Sequence, residues 1–297
     1  MRVTYKQMLN IVTRSVAARS EQLMKAQERV ASMKMINRPS DDPAGMNRVL
    51  DYRKRIVSID QYLRNIMPAK TRVEMTVNQL EEVHGLLREA KQIAGSQAVS
   101  DNVSGQEMAA AQIGDIYDQI RAIANTRLGG SYIFSGHVTD TLPFSEDGTY
   151  HGDDGEIKAI VGEGVLLKIN AHGDETFTGD GVTDGVDIFE VLKDLKDALE
   201  ADPYDAGDTL NQIDPLNQGI AQIQNTLSRQ STTFDRLEQT EDKWRNLKHV
   251  FESTVSKTED ADMAQVVVEL KAQQNAYEMT LATAAGVLQQ NLLDFLR

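Results

Sequence analysis

The stretch Leu9-Asn-Ile-Val-Thr-Arg-Ser-Val-Ala-Ala-Arg-Ser-Glu-Gln-Leu-Met-Lys-Ala-Gln-Glu-Arg-Val-Ala-Ser-Met33 decides the fold. Its residues Leu9, Val12, Val16, Leu23, Ala26, Val30 and Met33 fall at alternating steps of three and four, broken once by Arg19. An apolar repeat of about 3.5 residues describes a helix with a narrow stripe that another helix must cover. The far end of the chain carries a matching stripe: Val267, Leu270, Tyr277, Leu281, Ala284, Leu288 and Phe295, interrupted at Gln274 and Asn291. Neither stripe has a local partner, because Asn37–Gly45 breaks the chain after the first helix and nothing follows the second. The expectation is that the terminal helices pair with each other, with other copies, or both.

Inward from both ends, helical periodicity continues. Ala44 to Ile66 reads as helix, and Pro68 predicts a break or kink because proline lacks the N–H and clashes with the preceding turn. Helix resumes through Val73, Val77, Leu80, Val83 and Leu87, and another presents Ala109, Ile113, Ile116, Ile120 and Ile123 on one face. Asp187 to Ala201 is a further helix. The longest seam runs through Ile220, Ile223, Leu227, Phe234, Leu237, Trp244, Leu247, Phe251 and Val255.

Between these halves the composition changes. From Gly136 to Asp184 there are eleven acidic residues against two lysines, and nine of the chain's 20 glycines. Strands are expected at Ser131–Phe134, Ile157–Val161 and Val165–Ile169, separated by Gly/Asp turns. The fold class that follows is mainly α with a small β-rich insert: a long antiparallel helical hairpin or bundle whose N- and C-terminal helices pair. Three regions are expected. Residues 1–40 with 260–297 form a terminal helical domain, 41–135 with 185–259 a helical shaft, and 136–184 a small acidic outer domain that the shaft does not need in order to fold.

Composition removes several classes of function. A net charge of −14 argues against a nucleic-acid or acidic-membrane binder, since phosphates require Lys and Arg. With no cysteine there is no disulfide, thiolate zinc site or thiol nucleophile. No apolar run is long enough to span a bilayer. Arg2, Lys6 and Arg14 are not followed by an apolar h-region, so no cleaved secretory signal is expected.

No catalytic, cofactor or metal site is expected either. An EF-hand started at Asp180 would have Val182 at its third position and Val191 at its twelfth, where oxygen ligands are required. His84, His137, His151, His172 and His249 are scattered without zinc-ligand spacing. Asp153 and Asp154 have no evident acid–base partner. The sharpest local motif is Asn37-Arg-Pro-Ser-Asp-Asp-Pro-Ala-Gly45. It is a helix stop and then a helix start, in which Ser40, Asp41 or Asp42 caps orphan N–H groups and Pro43 suits the first turn. Gly129-Gly130 reads as a helix C-cap leading into a strand.

Three stretches resemble a known family. Met33-Lys-Met-Ile-Asn-Arg-Pro-Ser-Asp-Asp-Pro-Ala-Gly45 is similar to the N-terminal signature of bacterial flagellins and their relatives. Ala261-Asp-Met-Ala-Gln-Val-Val-Val-Glu-Leu270 and Gln289-Gln-Asn-Leu-Leu-Asp-Phe-Leu-Arg297 resemble their C-terminal helix. Gly130-Ser-Tyr-Ile-Phe-Ser-Gly136, Thr141-Leu-Pro-Phe144 and Gly173-Asp-Glu-Thr-Phe177 look like the branch that sits at the hook–filament junction. The resemblance implies a structural, non-enzymatic subunit of the extracellular flagellum. It also implies type III export with a chaperone, a ring of identical copies, and contact with hook-associated protein 1 on one side and flagellin on the other. The terminal stripes and the Asn37–Gly45 motif would then be the assembly interface and its cap. Filament flagellin is the alternative reading. An enzyme housed in the acidic insert is a remote third, because the insert has no ligand cluster.

Overall fold

The computed structural model describes the backbone of residues 2–98 and 103–295, and the side chains of residues 6–98 and 105–286. Seven helices dominate it: α1 (Arg2–Ser32), α2 (Pro43–Gln97), α3 (Val103–Ala124), α4 (Ile188–Glu200), α5 (Ala206–Asn211), α6 (Ile213–Glu259) and α7 (Met263–Phe295). Between α3 and α4 lie β1 (Arg127–Leu128), β2 (Ser131–Tyr132), β3 (Lys158–Gly162), β4 (Val165–Lys168) and one π-turn, Asp174–Thr178. The chain divides into two compact units, Met1–Ser58 with Asn246–Arg297, and Ile59–Arg245.

The larger unit, Ile59–Arg245, holds most of the buried apolar surface. The face of α3 foreseen from its periodicity is the buried one, with Ala109, Ile113, Ile116, Ile120 and Ile123 all sequestered. It packs on α4, which buries Ile188, Phe189, Leu192, Leu195 and Leu199 and is capped by Asp187, whose carboxylate accepts the N–H groups of Phe189 and Glu190. α2 passes through Pro68 as one helix, where a break or kink was expected. A proline inside a helix costs about 3 kcal/mol. Pro68 is exposed while Ile66, Ala69 and Val73 around it are buried, and burying Ile66 and Val73 alone contributes about 3–6 kcal/mol. Tertiary packing on the flanking turns therefore outweighs the local penalty.

The strands form two separate antiparallel hairpins. In the first, Arg127 pairs with Tyr132 and Leu128 with Ser131. Gly129 and Gly130 make its turn with φ of 60° and 92°, so the pair is a hairpin turn and not the helix C-cap expected from sequence. In the second, Ala159 opposes Leu167 and Ile160 opposes Leu166, with an irregularity at Gly162. Ala159 and Leu167 face inward, onto a small core with Val161, Ile169, Ile66, Ala69, Val73 and Leu237. Trp244 of α6 donates its indole N–H to the Val161 carbonyl at 2.7 Å, and Asn65 of α2 donates to the Ile160 carbonyl at 2.9 Å.

The acidic stretch 136–184 does not stand apart from the helices. Phe144 and Phe177 are fully buried in the main core with Phe134 and the α4 residue Phe189. The rings of Phe134 and Phe177 meet edge-on at 5.1 Å, and Phe144 lies 5.3 Å from Phe177 and 5.2 Å from Phe189. Gly173 is required beside them, since a Cβ there would come within 2.6 Å of the Phe134 carbonyl oxygen. Charge and glycine dominate the composition of this stretch, but a few aromatic anchors decide where it packs. Phe144→Ala should cost about 3–5 kcal/mol. Replacement of 136–184 by a Gly/Ser linker should lower the urea midpoint further still, both followed by far-ultraviolet circular dichroism. A linker variant as stable as the parent would show the helices to be self-sufficient.

Candidate assembly interface

The smaller unit, Met1–Ser58 with Asn246–Arg297, contains both sequence-predicted stripes. Within it α1 packs along α7. The helices run antiparallel: Lys34 bridges to Asp260 just beyond their joined ends, and Arg29 reaches Glu269 at 3.5 Å further in. On α1, Leu9, Val12, Val16, Leu23 and Val30 are half-buried and Ala26 is fully buried. On α7, where Met263, Glu269, Gln274 and Ala276 are also partly covered, the most regular run of covered residues is Val266, Leu270, Gln273, Tyr277, Thr280 and Ala284. These too follow steps of four and three, but in a phase different from the sequence stripe. Leu270, Tyr277 and Ala284 belong to both. Val267 and Leu281 are instead exposed, at 46% and 42%. Leu288 and Phe295 are part of α7, and their side chains lie outside the described residues.

The shift of phase has a physical cause. Hydrophobicity favours Val267 over Val266 no more than the reverse, and favours Leu281 over Thr280 outright. The fold nevertheless turns Val266 and Thr280 toward α1, where Thr280 satisfies its hydroxyl on the Ala276 carbonyl at 2.7 Å. A threonine that bonds its own helix buries its methyl group at little cost.

A clasp joins the α1–α2 turn to the α6–α7 turn. Met33 leaves α1 in the left-handed region at φ 57°, and its carbonyl accepts the Ala261 N–H at 3.0 Å. The Met35 N–H donates to the Glu259 carbonyl at 2.7 Å. The Glu259 carboxylate, 4% exposed, receives the Lys34 ammonium at 2.7 Å and the Arg53 guanidinium at 2.6 Å. Nothing in the sequence marks Glu259, Lys34 and Arg53 as partners, because they are brought together only when both turns close.

The Asn37–Gly45 motif builds one side of this clasp. Asp42 caps α2, its carboxylate accepting the N–H groups of Ala44 at 3.1 Å and Gly45 at 2.9 Å. Pro43 opens the helix. Asp41 accepts from Arg38 at 2.9 Å and Asn37 at 3.1 Å. These N–H groups, Arg38's first, hold its carboxyl below the usual carboxylate range. Asn37 donates its amide to the Lys34 carbonyl at 3.2 Å, and Ser40 is exposed. Gly45 is buried, and a Cβ there would meet Asp42 Oδ2 at 2.4 Å and Ile36 Cδ1 at 2.7 Å. The motif thus needs Asp42 and Gly45 together. Among the described residues no three His, Asp or Glu side chains gather as a metal ion would require, and no helix is long and apolar enough to cross a membrane.

Long paired terminal helices clasped at a capped turn define a class of elongated helical protein, and comparison with known proteins narrows it. The family model for the bacterial flagellin N-terminal helical region matches residues 3–139. The flagellar hook-associated protein 3 of Escherichia coli is 27% identical over 73% of this chain and 72% of its own length. A flagellin of Halalkalibacterium halodurans is 23% identical over 86% of this chain and 84% of its own. Among solved structures, Bacillus cereus FlgL superposes with a TM-score of 0.61 at 20% identity, covering 69% of this chain and 99% of that one. The flagellar junction protein FlgL of Legionella pneumophila also gives 0.61, at 13% identity, covering 72% and 100%. Residues 3–139 thus match the flagellin N-terminal helical region, and over most of its length the chain is similar to relatives named flagellar hook-associated protein 3 and flagellin.

Glu259→Ala removes the acid that neutralises two cations. Because Lys34 and Arg53 are partly exposed and regain water, the cost should be about 2–4 kcal/mol, confined to the smaller unit. Hydrogen exchange should quicken in α1 and α7 and stay unchanged in α3. For Asp41, whose folded pKa is depressed, the stabilisation is fully present above its ordinary value of 3.8 and lost as pH falls through the folded value. Asp41→Asn should flatten that acid limb in a pH series of melting curves.

Proposed function

We propose that this chain is a structural subunit of the bacterial flagellum that joins the hook to the filament. Its copies form a ring between hook-associated protein 1 and the first flagellin subunits, and it reaches that position through the flagellar type III export apparatus with a chaperone. The observation that carries the proposal is the thinness of the smaller unit. Among its described residues, the buried apolar side chains are Ala26, Ile36, Val49 and Val266, while Met8, Ile11, Met24, Met33, Leu50, Val57, Val250, Val267, Val268, Met279 and Leu281 are exposed. Ordering each backbone residue costs about 1–2 kcal/mol, and four core residues contribute far less than this unit needs. Neighbouring copies supply the remaining cover, and the terminal helices order fully on assembly. The relatives named hook-associated protein 3 favour the junction. The flagellin relative favours a second reading, in which the chain is the filament subunit itself.

Deletion in the source bacterium separates the two. Loss of a junction subunit should leave hooks intact and release unpolymerised flagellin into the medium. Loss of the filament subunit should leave hooks that still carry their junction proteins. Leu281→Asp tests the interface directly. At an exposed site it should change the stability of the free subunit by no more than about 0.5 kcal/mol. It should nonetheless abolish filament growth when it replaces the parent chain, because a charge buried between copies costs several kcal/mol. Normal motility with that substitution would rule this stripe out as an assembly surface.

A further inference from the structure

The apolar interior of the larger unit is not continuous. α2 and α6 lie side by side in antiparallel order, linked by the Tyr62–Trp244 ring contact at 5.2 Å and by Lys70 with Glu238 and Glu241 at 3.3 and 3.4 Å. Along α2 the inward positions Ile66, Ala69, Val73, Thr76, Leu80, Val83 and Leu87 keep steps of three and four. Along α6 the series is Ile223, Leu227, Gln230, Phe234 and Leu237. Counting two heptads along each helix from the Tyr62–Trp244 contact reaches the polar residue of each series, Thr76 on α2, whose hydroxyl donates to the Arg72 carbonyl at 2.9 Å, and Gln230 on α6. Both are buried, at 0% and 7% exposure. On one side of this layer lies the small core of Ile66, Val73, Leu237 and the β3–β4 hairpin. On the other lies the main core, beginning at Leu80 and Ile223.

We propose that the Thr76–Gln230 layer is a joint: it divides the larger unit into two parts that open independently, the β3–β4 part ahead of the main core. Two atoms near this boundary gain from opening. The Gln230 Oε1 is buried without a hydrogen-bond partner, and so is the Arg72 Nε. The Arg72 guanidinium is spent on the carbonyls of Tyr132 and Ile133, both at 3.2 Å. When the smaller part loosens, water reaches both atoms. In an otherwise regular heptad seam a polar layer lowers stability and fixes register. Here it also supplies a boundary of the kind that separates cooperative opening units.

Native-state hydrogen exchange on the full chain tests this. In the parent protein, amides of β3, β4, 59–73 and 234–245 should exchange together, at least about tenfold faster than those of α3 and α4. In Thr76→Val/Gln230→Leu the two sets should converge to within about threefold, as the seam becomes continuous. Equal protection in the parent chain overturns the proposal, and so does a difference that survives the double substitution. Should the double variant fail to fold, Gln230→Met removes the amide with little change of volume and must narrow the gap on its own.

Discussion

A helix with an apolar stripe only two residues wide per heptad cannot stay folded in water unless another helix covers it, and this constraint governs both units. The larger unit meets it internally. α3 and α4 pack on each other, and the phenylalanines of the acidic stretch fill the space beside them. The smaller unit meets it only in part. α1 and α7 cover one face of each other, and the opposite face of α7, with Val268 and Met279 at 70% and 72% exposure, is left in water. A helix with one face covered and another bare is stable to the extent that something else arrives, which couples folding to association.

The clasp around Glu259 is what makes such a half-finished unit usable. It fixes the start of α7 against the end of α1 through three main-chain hydrogen bonds and two ion pairs. None of these depends on how well the stripes further along are covered. The helices therefore begin in register, and under the proposed assembly a neighbouring copy has to complete a surface and not to create one. Pre-organisation of this kind lowers the ordering cost of binding. It also explains why the turn carries so many short-range constraints, among them Asp41, Asp42, Pro43 and the crowded Gly45, in a unit whose apolar core is small.

Much of this was legible in the residues. The 3.5-residue repeats gave the terminal helices and their pairing, the Ile-rich face of α3 was read correctly, and Asp187 announced α4. What could not be read has a common character. Pro68 sits inside a helix because tertiary burial at Ile66 and Val73 outweighs a local penalty. The phase of the α7 stripe is set by which neighbour arrives, and a threonine satisfied by its own helix is as acceptable there as a leucine. The long-range pairing of Lys34 and Arg53 with Glu259 leaves no trace in local pattern. The segment 136–184 was misjudged because its charge suggested a detached surface, whereas Phe144 and Phe177 determine its place.

The same contrast between stripe and layer separates the roles of the two long helices from those of the terminal pair. In α2 and α6 the seam is broken chiefly at Gln230, whose Oε1 is buried without a partner, while Thr76 satisfies its hydroxyl on its own helix; on the proposal above, those helices loosen at that one level. In α7 the covered face is interrupted at Gln273 and Thr280, and the Gln273 Oε1 is buried without a partner. A seam that leaves an amide oxygen unsatisfied is held weakly. The terminal pair is accordingly held tightly at the clasp and loosely along its length, as the proposed assembly with other copies of the chain requires.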